Sequence, residues 1–102
     1  MKKDEFEKRI KTEGLLEVFD EDIRKIYISP EKVVRDGEWI SNETNVYGCY
    51  KGPQSYVIFM TDAERGISYW GRSYDSEDDA YNALYDYLIL LDKIYKEDHG
   101  VV

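Results

Sequence analysis

The run from Ser76 to Lys96, SEDDAYNALYDYLILLDKIYK, constrains this chain more than any other stretch. Ala80, Leu84, Tyr87, Leu88, Leu91 and Tyr95 follow one another at helical spacing, with Ala83 and Ile94 beside them. Ser76 followed by Asp79 is a capping pattern, in which a side-chain oxygen accepts a backbone N–H of the first turn. Glu77, Asp78 and Asp79 suit the positive end of the helix dipole, and Lys93 and Lys96 the negative end, before a stop signal at Gly100. A helix with one apolar face has to lie on something that shares that face. The residues before it must supply the partner.

They read mainly as β structure. Val33-Val34 and Trp39-Ile40 flank Asp36-Gly37, a hairpin signal. Val46–Tyr50 and Tyr56–Met60 are separated by the turn Lys51-Gly-Pro-Gln-Ser55, and Ile67 to Tyr74 reads as a further strand. In Tyr56–Met60 both alternating sets are apolar, which predicts a strand covered on both faces. At the other end of the chain, Phe6 and Ile10 stand four apart among charges before Gly14, a short amphipathic helix with its stop. Ile23 to Ile28 fits a helical turn or a strand, and Ser29-Pro30 ends it either way. The expectation is one α+β domain spanning residues 1–102. It has an antiparallel β-meander of about four strands, with an N-terminal helix and a long C-terminal helix packed on it.

Several chemistries are set aside on composition. Twenty-two acidic against fourteen basic residues give a net charge of −8, so the chain is repelled by nucleic acid and suited to a basic protein. The longest apolar run, Leu88–Leu91, is too short to span a bilayer, and no apolar stretch follows the lysines at the N-terminus, so a cytoplasmic location is expected. Cys49 is the single cysteine, which excludes an internal disulfide and a paired-cysteine zinc site; in a strand-like run it reads as a small buried hydrophobe. His99, the single histidine, lies near the chain end, a poor place for a catalytic base. Asp20-Glu-Asp22 begins like a calcium loop, but Arg24 and Lys25 fall at ligand and glycine positions. No glycine-rich phosphate cradle is present. Neither a metal, a cofactor nor an enzymatic function is expected.

Surface chemistry remains. Tyr81, Tyr85 and Ile89 form a line on the last helix well off its core stripe. That line is either an exposed aromatic docking face or a flank covered by a second element such as the N-terminal helix. The corner Asp62-Ala-Glu-Arg-Gly66 reads as a turn, with Gly66 supplying a positive φ.

The order of three pieces resembles a known group. Glu13-Gly14-Leu15 ends the first helix, a strand runs from Tyr56 into Glu64-Arg65-Gly66, and Tyr74-Asp-Ser-Glu-Asp-Asp-Ala80 opens the last helix, with tyrosine where the group has phenylalanine. The chain thus resembles the small immunity proteins of bacterial polymorphic toxin and contact-dependent inhibition systems that pair an ERG turn with a late helix. That resemblance implies a non-catalytic protein that binds the C-terminal domain of a cognate toxin and blocks its active site. For an acidic inhibitor the matching toxin is a basic nuclease, whose phosphate positions carboxylates can fill. The contact residues expected on this reading are Asp20, Glu21 and Asp22, Asp62 and Glu64, and Tyr81 and Tyr85. The other readings are an acidic adaptor module and, further off, a small-ligand site at Tyr56 and Trp70.

Overall fold

The computed structural model describes residues 1–20, 23–62 and 68–98, with Asp20, Ile23, Asp62, residues 68–70 and Asp98 described as backbone only. Helix α1 (Lys3–Thr12) buries Phe6 and Ile10 and ends as its sequence indicates. Gly14 takes φ +75°, which returns the Gly14 N–H to the carbonyl of Lys11 and the Leu15 N–H to that of Ile10. Leu15, just past the stop, is itself buried.

Strands β1 (Glu17–Asp20) and β2 (Ile23–Tyr27) follow as an antiparallel pair. A 3-10 turn (Pro30–Lys32) leads into the small hairpin β3 (Val34–Arg35) and β4 (Glu38–Trp39). Asp36 and Gly37 sit there at φ 52° and 80°, the two left-handed residues that let a tight turn follow the strand twist. Strands β5 (Val46–Lys51), β6 (Tyr56–Asp62) and β7 (Ser68–Tyr74) then form the meander, and α2 (Glu77–Asp98) closes the described chain.

The four-strand antiparallel meander is therefore corrected. The main sheet has five strands in the order β1-β2-β5-β6-β7, and β2 pairs with β5 in parallel. Ile23–Tyr27, ambiguous in sequence, is the strand responsible. Parallel neighbours require a crossover. Residues 28–45 provide it, carrying the 3-10 turn and the β3–β4 hairpin across the face opposite the helices.

Each face has its own core. On the helix side Val18, Tyr47, Cys49, Ile58 and Met60 meet Phe6 and Ile10 of α1 and Ala80, Leu84, Leu88 and Leu91 of α2. On the other side Ile28, Val46 and Phe59 meet Val33, with Val34, Trp39 and Tyr50 around them; the Trp39 ring stands edge-on to Phe59 at 5.1 Å. The doubly apolar pattern of β6 has this cause: Ile58 and Met60 face the helices and Phe59 the crossover. Helix α2 starts beyond edge strand β7 and stacks Tyr95 on Phe19 of edge strand β1 at 4.6 Å, so it crosses the whole sheet. Helix α1 fills the space along one side of it.

Candidate functional site

Strand direction decides where the acidic segments go. β1 ends at Asp20 and β6 at Asp62, while β2 and β5 start beside them at Ile23 and Val46. All four termini lie at one end of the sheet. β1 and β6 are three places apart in the strand order, which at the usual strand spacing is about 14 Å. Asp20 and Asp62, distant in sequence, thus end their strands at one end of the sheet. Glu21, Asp22 and Glu64 lie outside the described residues, as do Arg65, Gly66 and His99.

Just inside this end is a residue the sequence reading passed over. Lys25 is 6% exposed, and its Nζ donates to the carbonyl of Thr61 at 2.8 Å. The Thr61 hydroxyl accepts the N–H of Val46 at 3.1 Å. Lys25 therefore ties β2 to β6 past the start of β5. Lys25 was hard to find because β2 inverts the usual pattern: Ile26 is 45% exposed, while Lys25 turns inward beneath the helices. Lys25 and Tyr27 stand two residues apart and so share one face of the strand.

The aromatic half of the expected site is corrected. Tyr81 is 3% exposed, with its ring 5.1 Å from Phe6 of α1. Its hydroxyl lies beside the Cys49 thiol, and burial holds the Tyr81 phenol above its ordinary pKa. Tyr85 is half-buried and clamped by α1: its hydroxyl donates to Glu13, accepts from Arg9 Nη2 at 3.1 Å, and its ring lies under the Arg9 guanidinium at 4.3 Å. The donation to Glu13 raises the Tyr85 phenol above its ordinary pKa. The N-terminal helix covers the flank at Tyr81 and Tyr85, whereas Ile89, the third residue of the line, is 39% exposed. Helical spacing showed that these tyrosines leave the core stripe, but which flank α1 would occupy is a tertiary fact.

Cys49 is buried as expected of a small hydrophobe, and burial pushes its thiol up to about 12, far from the thiolate a nucleophile needs. Among the described residues no group of three or more His, Cys, Asp or Glu side chains is placed to hold a metal ion. No helix among them is long and apolar enough to cross a membrane. Tyr56, half of the small-ligand reading, packs against the helix-side core under Lys51, and Trp70 is described as backbone only. An open groove of about 440 Å³ lies elsewhere, between β2 and the start of β5, where Ile26, Ile28 and Val46 meet Lys32 and Glu43. Its mixed lining carries one ammonium and one carboxylate, not a set of converging acids.

No family model, curated protein or solved structure matches the chain.

Proposed function

We propose that the chain is a non-catalytic immunity protein that neutralises a basic toxin domain of the nuclease class by laying the acidic end of its sheet over the toxin's active site. The observation that carries the reading is the placement of Asp20 and Asp62, which close β1 and β6 at the same end of one sheet. Acidic residues at the end of a sheet, on a protein of net charge −8, attract a basic partner. Tyr81 and Tyr85 take no part, because they belong to the α1–α2 contact. Lys25 ties the sheet between these two strand ends by its bond to the Thr61 carbonyl.

Co-expression tests it. The C-terminal domain of the protein encoded immediately upstream is expressed in a sensitive host with and without this chain. Arrest without the chain and growth with it is the expected result. A domain that is harmless alone, or that kills regardless, removes the reading for that neighbour.

A further inference from the structure

Helix α2 carries three lengthwise faces. Ala80, Leu84, Leu88 and Leu91 form the stripe buried on the sheet, and Tyr81 and Tyr85 the flank under α1. The third face is a line of Ala83, Tyr87, Leu90 and Ile94. At about 100° per residue it lies roughly 85° round from the buried stripe, on the side away from α1. Leu90 is 51% and Ile94 44% exposed, while Ala83 and Tyr87 are partly buried at their inner edge. The alternation of four- and three-residue steps is that of a two-helix seam.

We propose that this seam is a self-association surface, on which a second copy of the chain docks its own α2 antiparallel across a twofold axis. The rim charges select the occupant. Asp86 and Lys93 are both exposed and stand seven residues apart along the outer edge of the seam. Antiparallel layers set Tyr87 against Leu90 of the second copy and Ile94 against Ala83 of the second copy. That register brings Asp86 of each chain beside Lys93 of the other, and the twofold repeats the pair. A parallel arrangement is closed, because it sets the rim against Leu84 and Leu91, which are 0% and 8% exposed in their own core. The contact is a single helix flank per copy, so a micromolar or weaker dissociation constant is expected. The proposal stands independently of the toxin reading.

Sedimentation equilibrium from about 1 µM to about 1 mM brackets this affinity range. A monomer–dimer equilibrium is expected, and Leu90→Glu is expected to weaken it at least about tenfold. Asp86→Lys places two cations on the rim and Lys93→Asp two anions, so each variant should self-associate more weakly than the wild type. Mixed together, the two variants should pair with each other more tightly than either pairs with itself. Both positions are exposed, so the charge variants test the seam even where Leu90→Glu disturbs folding. A wild-type chain that stays monomeric throughout overturns the proposal. So does a dimer indifferent to Leu90→Glu, or a mixture no tighter than its components.

Discussion

Two residues show how little slack the interior has. A Cβ at Gly48 would stand 2.7 Å from the carbonyl oxygen of Ile28 and 3.0 Å from the Phe59 ring. The first of these is backbone in the parallel β2–β5 contact, where Ile28 N–H donates to the Tyr47 carbonyl at 2.9 Å, so it cannot simply turn aside. Gly48→Ala should therefore cost about 1–3 kcal/mol in urea unfolding, an overpacking effect. Tyr81 offers the opposite test. Tyr81→Ala should cost ~3–5 kcal/mol by emptying a buried aromatic volume, whereas Tyr81→Phe keeps the ring, removes only the hydroxyl beside Cys49 and should cost ~0.5–1.5 kcal/mol. Near-equal losses for the two would mean that the ring is not packed under α1. The Cys49 thiol, pushed up to about 12 by burial, should resist thiol reagents at mildly alkaline pH until the protein is unfolded.

Elements with local signals were legible in the sequence. The Ser76 hydroxyl accepts the Asp79 N–H at 3.1 Å, Gly14 stops α1, and Asp36-Gly37 turns the small hairpin. In each the instruction and the structure lie within a few residues. Ser76→Ala should lower stability by about 1 kcal/mol, read from the urea midpoint at unchanged slope. Sheet order was not legible, because the pairing of Ile26 with Val46 is a parallel contact between segments separated by the crossover. Ile23–Tyr27 looked ambiguous for a related reason. Its inward face holds a lysine and its outward face an isoleucine, so no simple alternation marks the core side. The candidate site was legible only in part. Its acidic residues stand out in composition, but their convergence depends on strand directions, and the fate of Tyr81 and Tyr85 depends on where α1 docks.

At the scale of the molecule, charge and burial set the working range. Burial is the largest cause holding the phenols of Tyr27, Tyr47 and Tyr81 above their ordinary value. Tyr27 also donates to Glu7 at 2.6 Å, and Tyr47 to the Leu15 carbonyl. Because these folded-state values are raised, the stability they contribute is fully present below the unfolded phenol value, near ~10, and is lost as pH rises beyond it. Tyrosinate absorbance should accordingly rise in two stages, the exposed phenols first and the buried ones together with unfolding. A single stage near ~10 with the fold intact would contradict their burial.

If one end of the sheet carries the partner-binding charge, affinity must depend on Asp20 and Asp62 more than on acids elsewhere. Binding of the upstream-encoded toxic domain would be measured by calorimetry for the wild type, for Asp20→Lys with Asp62→Lys, and for Asp4→Lys with Glu5→Lys on the first turn of α1. Each double variant changes net charge equally, so long-range attraction is matched and position alone differs. The sheet-end variant should lose at least about a hundredfold in affinity and the α1 variant less than about tenfold. Equal losses, or a larger loss from the α1 variant, would place the binding surface elsewhere.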